Sequence, residues 1–109
     1  MPSVFDLLDD IRAHPGMYLG WNATARKEQL DALESLLIGY GHAIERHGIE
    51  DPGRDLLGSF GRFLRGRYGW SESRGPIAEI RAHAKSEEEA WESMWMLLDE
   101  FRAAAKGVP

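Results

Sequence analysis

The feature of this sequence that most constrains its fold is the spacing of its apolar residues, which recur three and four positions apart. This spacing places side chains on one face of an α-helix, whereas a half-buried strand alternates apolar and polar residues. The pattern is clearest between about residues 25 and 48, where one stripe contains Leu30, Leu33, Leu37, Tyr40 and Ile44. No segment shows the alternation of β-branched residues typical of a sheet. The sequence therefore predicts an all-α fold.

Capping residues and helix breakers divide the pattern into about five helices, two of them long. Ser3 and Ser86 are each followed by acids in the first turn, which is typical of a helix N-terminus. We expect helices from Ser3 to His14, from about Ala25 to Gly48, over Leu56 to Leu64, from Pro76, and from Ser86 onward. The segments Pro15 to Trp21 and Gly66 to Gly75 are predicted to be loops rich in aromatic residues.

Two glycines inside the predicted central helix need a physical explanation. Gly39 and Gly41 each cost up to ~1 kcal/mol relative to alanine in a helix interior. We expect a neighbouring helix, from this chain or from a second copy, to approach closely there. The chain has 109 residues, the commonest size for one domain, so residues 1–109 are predicted to form a compact single-domain bundle.

Composition excludes several classes of function. The chain has no cysteine, which excludes disulfides, thiolate nucleophiles and cysteine-based metal sites and fits the reducing cytoplasm. No apolar run approaches the ~18 residues that span a bilayer, and the first residues do not resemble a signal peptide. A net charge of −5 opposes phosphate backbones, so we expect a basic protein partner and neither nucleic acid nor membrane.

The sequence contains no recognisable catalytic or metal site. Its histidines, His14, His42, His47 and His83, form no pair four residues apart, the spacing that puts two metal ligands on one helical face. No Gly-x-Ser-x-Gly string is present to suggest a nucleophile. We therefore predict a non-enzymatic protein without cofactor or metal. An enzyme would require His42, Glu45 or His83 to meet in a cleft.

The four tryptophans are the most unusual residues for a chain of this length. Tryptophan is most often a core residue, but it is also enriched where proteins bind partners. Trp91 lies on the stripe of the last helix, and we expect Trp95, at the flank of that stripe, to be partly exposed. The predicted partner contacts are Trp21, Trp70, Trp95, Glu87, Glu88 and Glu92.

Residues Ile11 to Gly20 resemble the segment that opens the ATPase domain of DNA gyrase and related topoisomerases. The resemblance covers only those ten residues. That family also requires an acidic helix at its ATP site, where this chain has Leu33 to Ile38 with a single acid, Glu34. We therefore expect no ATP binding.

A second resemblance covers nearly the whole chain. The sequence resembles small bacterial proteins that share an Ile-Arg-x-x-Pro-x-Met-Tyr-Leu-Gly opening, some of which are similar to immunity proteins encoded beside polymorphic or contact-dependent toxins. Besides the opening, the matching positions are Leu37, Gly39, Tyr40, Phe60, Phe63, Leu64, Gly69, Trp70, Ser86, Glu88, Glu89, Ala90 and Leu97 to Phe101.

This second resemblance implies that the protein inhibits a cognate, basic toxin by binding one-to-one and occluding its active site. The alternative is a small-molecule-binding or regulatory helical domain. In that alternative, the loop aromatics Tyr18, Trp21, Tyr68 and Trp70 would line a pocket between the long helices.

Overall fold

A computed structural model describes residues 3–20 and 25–107, and these residues form six α-helices and one 3-10 helix, with no strand among them. The helices are α1 (Val4–Ala13), α2 (Pro15–Leu19), α3 (Arg26–Arg46), the 3-10 helix (Pro52–Asp55), α4 (Leu56–Tyr68), α5 (Pro76–His83) and α6 (Glu87–Ala105). The all-α prediction is confirmed.

The chain divides into two compact units, Met1–Leu57 and Gly58–Pro109. Buried apolar side chains in the first unit are Val4, Leu8, Ile11, Leu19, Leu30, Leu33, Leu37 and Leu56. Those in the second unit are Phe60, Leu64, Ile77, Ile80, Ala90, Trp91, Met94, Trp95, Leu97 and Leu98. Most of these residues belong to the stripes that the spacing predicts, so the helical faces in each unit follow from the sequence.

Serine caps fix the beginnings of α1 and α6. The Ser3 hydroxyl accepts a hydrogen bond from the backbone N–H of Phe5, and the Asp6 carboxylate accepts one from the backbone N–H of Ser3. At α6 the Ser86 hydroxyl accepts from the backbone N–H of Glu89 at 3.1 Å. Both predicted helix starts are thus confirmed by the hydrogen bonds that satisfy their first N–H groups.

Two predicted loops are shorter than expected. Pro15 ends α1 but also begins α2, because proline at the first helical position lacks only an N–H that would be unpaired there. The loop prediction for Pro15 to Leu19 is therefore wrong, and Trp21 lies outside the described residues. The second loop begins at Gly69 because α4 continues through Gly66 to Tyr68.

One carboxylate ties together three elements of the first unit. Asp51 caps the 3-10 helix by accepting from the backbone N–H of Gly53 at 2.7 Å. It also accepts from the backbone N–H of Val4 at 3.3 Å and from the Tyr40 hydroxyl at 3.0 Å. Burial, together with this hydrogen bond, raises the pKa of Tyr40. Asp51 therefore joins the start of α1, the middle of α3 and the 3-10 helix.

The two glycines of α3 have different surroundings. A Cβ at Gly41 would lie 3.0 Å from the carbonyl oxygen of Gly53 and 3.4 Å from that of Arg54, so the 3-10 helix crosses α3 at this point. A Cβ at Gly39 would meet no atom of the described residues within 4 Å. The predicted close approach is confirmed at Gly41, where the neighbour is a 3-10 helix of this chain, and is wrong at Gly39 within the chain.

The contrast between these glycines can be tested by alanine substitution. We expect Gly39→Ala to raise the free energy of unfolding by up to ~1 kcal/mol, because alanine favours the helix and the space is open. Gly41→Ala makes the same change in propensity but pushes a methyl group against backbone, which costs about 1–3 kcal/mol. In urea unfolding, the free energy of unfolding should be lower for Gly41→Ala than for Gly39→Ala. Equal stabilisation by both substitutions would contradict the close approach at Gly41.

Removing the Asp51 carboxylate should destabilise the first unit. We expect Asp51→Ala to lower the free energy of unfolding by about 2 kcal/mol, through loss of an N-cap and of two further hydrogen bonds. The exposed neighbour Glu50, changed to alanine, is the control and should have little effect.

The contribution of the Tyr40 hydroxyl to stability should depend on pH. Because the folded pKa of Tyr40 lies above its ordinary value of 10.0, the stability that this hydroxyl contributes is present below pH 10 and is lost as pH rises through the folded pKa. A pH-independent cost of Tyr40→Phe between pH 9 and 12 would contradict this linkage.

Candidate binding pocket

The second unit contains a surface pocket of about 240 Å³ at the end of α4, lined by residues from three parts of that unit. Tyr68 and Trp70 come from the end of α4 and the loop that follows it. The end of α5 contributes Ile80, His83 and the following Ala84.

The third wall of the pocket is one face of α6, formed by Ser93, Met96 and Leu97. Leu97 is buried, whereas the Met96 side chain is 59% exposed at the rim. Tyr68 is 42% exposed, so two large apolar groups lie at the mouth. An open pocket with an apolar rim is a common form of binding site.

Stacking on α5 positions the Trp70 indole. Gly69 has a φ of +74°, a left-handed conformation that glycine adopts without strain, and it turns the chain at the end of α4. The indole then stacks on the His83 imidazole, with ring centroids 4.2 Å apart and planes 11° apart. The Tyr68 ring lies 5.3 Å from the indole. Aromatic pairs of this kind contribute about 0.5–1.5 kcal/mol each.

Hydrogen bonding to its own helix holds His83 in place. Its Nδ1 lies 2.9 Å from the backbone carbonyl oxygen of Glu79, one turn earlier in α5. The Glu79 side chain is buried and forms an ion pair with Arg74 at 3.3 Å, which anchors the loop before α5. The imidazole is therefore a fixed platform for Trp70.

A carboxylate of α6 fixes the tyrosine at the rim. The Tyr68 hydroxyl donates a hydrogen bond of 2.7 Å to Glu100, whose other oxygen lies 3.8 Å from the Arg67 guanidinium. The Arg67 guanidinium also lies 4.9 Å from the centre of the Phe63 ring. The hydrogen bond to Glu100, and then burial, raise the pKa of Tyr68 because the carboxylate favours the neutral hydroxyl.

The structure separates the three predicted tryptophan contacts. Trp70 is half-buried and lines the pocket. Trp95 exposes only 3% of its surface and packs edge-on against Trp91, with centroids 5.4 Å apart. The expectation that Trp95 is partly exposed is wrong, because α6 buries a wide face that includes Met94 and Leu97 as well. Trp21 lies outside the described residues.

The three predicted glutamate contacts also differ. Both oxygens of Glu87 bind the Arg81 guanidinium at 3.2 Å, so this carboxylate connects α5 with α6. Glu88 is exposed and interacts with another residue of the chain. Glu92 is exposed and, within the described residues, takes part in no hydrogen bond or ion pair. It precedes Ser93 of the pocket wall in sequence, so it is the candidate acid next to the pocket.

The sequence interpretation missed Met96 and gave His83 a different role. Trp91, Met94 and Leu98 are spaced three and four residues apart, as on one helical face. Met96 does not share this spacing, which was the signal that this large apolar residue lies on the surface. His83 was considered only as part of an enzyme. Its part in the pocket depends on contact with a loop distant from it in sequence, so no local pattern indicates it.

No metal-binding cluster accompanies the pocket in the part of the chain that the structure describes. Within residues 3–20 and 25–107, no three histidine, aspartate or glutamate side chains gather in an arrangement that could hold a metal ion. None of the helices described is long and apolar enough to cross a membrane.

Comparisons with known protein families, with curated proteins and with solved structures find no match for this chain.

The contact between Tyr68 and Glu100 can be tested by titration. We expect Glu100→Ala to lower the pKa of Tyr68 toward 10.0, because the negative acceptor that raises it is removed. Glu92→Ala removes the same charge from the same helix without touching Tyr68 and is the control. The titration is followed by NMR of ¹³C-labelled tyrosine rings. An unchanged Tyr68 pKa in Glu100→Ala would contradict the hydrogen bond.

Proposed function

We propose that this chain is a non-enzymatic binding protein that neutralises a cognate bacterial toxin, and that the pocket of the second unit holds one side chain of that toxin. The pocket is the observation that carries the proposal. The toxin as partner comes from the resemblance to immunity proteins, whose action is to bind the toxin and occlude its active site.

The size of the pocket supports a side chain as its occupant. Pockets for drug-sized molecules measure roughly 300–1,000 Å³, whereas an apolar cavity of about 150 Å³ accommodates benzene. A pocket of about 240 Å³ therefore suits one aromatic or large aliphatic group. Aromatic side chains buried in such pockets supply much of the binding energy in protein complexes.

Charge is unevenly divided between the units and supports a basic partner. Within the first unit the sequence contains ten acidic and five basic residues, whereas the second unit has eight of each. The net charge of −5 thus comes entirely from the first unit. A field of this sign speeds encounter with a positively charged protein. We place this action in the cytoplasm, where a chain without cysteine loses nothing from reducing conditions.

The same pocket supports a second candidate function, which is binding of a small aromatic molecule. Tyr68 and Trp70 line it as that alternative requires. Tyr18, the other described residue expected there, belongs to the first unit. A small ligand would fill the pocket without needing the acidic surface, so salt dependence of binding separates the two functions.

Two methionines provide a matched test of the proposal. Met96 at the pocket and Met17 in α2 are 59% and 60% exposed, so changing either to aspartate should alter stability little. We expect Met96→Asp to weaken binding of the toxin encoded by the neighbouring gene at least ~10-fold, because a charge is buried at a contact centre. Calorimetry with the purified partner, and survival of cells that produce it, are the measurements.

The outcomes of this test are distinct. Loss of affinity and of protection in Met96→Asp, with both retained in Met17→Asp, supports the pocket as the contact. The reverse pattern would move the contact to the first unit and overturn the proposal. If the unmodified chain neither binds the neighbouring gene product nor protects cells against it, the proposal of a toxin as partner fails.

A further inference from the structure

Two side-chain groups of the pocket that can accept a hydrogen bond have no partner among the described residues. The first is Nε2 of His83. Its other nitrogen, Nδ1, lies 2.9 Å from the carbonyl oxygen of Glu79, and a carbonyl oxygen can only accept. Nδ1 therefore carries the hydrogen, and in the neutral imidazole Nε2 presents a lone pair.

The His83 imidazole is partly exposed to solvent. The His83 side chain is 47% exposed, and among the described residues Nε2 makes no hydrogen bond. The second polar atom is the Ser93 hydroxyl on the facing wall, which likewise has no partner in that part of the chain. A ligand group that brings one N–H or O–H satisfies the acceptor on His83.

The remaining walls of the pocket suit a flat aromatic ring. Trp70 and Tyr68 contribute aromatic surface, and Met96 contributes a flexible thioether, which makes favourable contacts with ring edges. The volume of about 240 Å³ exceeds the roughly 150 Å³ that holds benzene, so a bicyclic ring fits. An indole is such a ring and carries one N–H donor.

An exposed acid that neighbours a pocket residue in sequence favours a protein as the source of this ring. Glu92 lies next to Ser93, is exposed, and has no ion pair within residues 3–20 and 25–107. A lysine or arginine beside an anchoring aromatic residue would pair with it, as expected for a basic partner. An uncharged aromatic molecule has no group for this carboxylate.

We infer that the pocket receives a tryptophan side chain of the partner protein, with the indole N–H donating a hydrogen bond to Nε2 of His83. The inference rests on the proposed function, since it names the group that the toxin inserts. His83 then has two roles, stacking against Trp70 and accepting a hydrogen bond from the incoming ring.

Two isomeric ligands test the hydrogen bond without changing the protein. 3-Methylindole has the structure of a tryptophan side chain, whereas 1-methylindole is an isomer of the same size that has no N–H. We expect the full chain to bind 3-methylindole about fivefold more tightly, the usual worth of one such hydrogen bond. Binding is measured from shifts of the Trp70 indole resonance in the ¹⁵N-labelled protein.

A variant of the acceptor provides the matched control. His83→Phe retains a ring for Trp70 to stack on but removes both imidazole nitrogens, the acceptor Nε2 and the Nδ1 that bonds the Glu79 carbonyl, so it should bind the two isomers equally. An amide spectrum of the free variant that is unchanged except at residues in contact with position 83 verifies that the fold is intact. Equal binding of both isomers by the unmodified chain would overturn the inference, while the Met96 comparison would still decide the proposed function.

A third ligand identifies the source of the ring. N-Acetyltryptophanamide places the indole on a peptide backbone, and we expect it to bind at least as tightly as 3-methylindole. Binding of 3-methylindole without binding of N-acetyltryptophanamide would show a site for free small molecules. That result would overturn the inference that the ring comes from a protein side chain. If none of the three ligands shifts the Trp70 resonance, the pocket does not take an indole and the inference fails.

Discussion

The stack between Trp70 and His83 is the interaction on which the surface of the second unit depends. The loop from Gly69 to Gly75 contains a turn at residues 73–74 but no helix or strand to place an indole. Trp70 is positioned because its ring lies 4.2 Å from that of His83, and His83 is in turn hydrogen-bonded to the Glu79 carbonyl. The contact with α5 thus holds the Trp70 indole in place as one wall of the pocket. Because this side chain is already ordered, less entropy is lost when a ligand binds.

The two units differ in what they offer a partner. All of the excess negative charge lies in the first unit, where the Asp51 carboxylate is used to hold three elements together. In the second unit the charges balance, and several are paired, as in the contact of Glu87 with Arg81. Long-range attraction and short-range apolar contact are therefore properties of different parts of the chain. Together these properties suit a protein ligand better than a small uncharged one.

The sequence predicted the helices well because their causes are local. Serine caps and apolar stripes act within one helix, and so the start of α1 and that of α6 were correct. Pro15 was misread because proline both ends one helix and begins the next. The pocket could not be predicted, because it forms where a loop packs on α5 and faces α6. Trp70, predicted as a partner contact from its loop position, lines the pocket. The expectation that Trp95 is partly exposed was wrong because α6 buries more than a narrow stripe.

The proposed contact is tested most directly by the ¹³C-methyl NMR spectrum of the methionine-labelled chain, recorded with and without the proposed toxin. Only four methionines are present, so each methyl signal can be assigned by single substitution. If the pocket is the contact, the chemical shift of the Met96 methyl group changes strongly on binding, as expected for a thioether placed against an incoming ring. The chemical shift of the Met17 methyl group does not change. A complex in which the Met96 signal is unchanged would contradict the claim that the pocket is the contact.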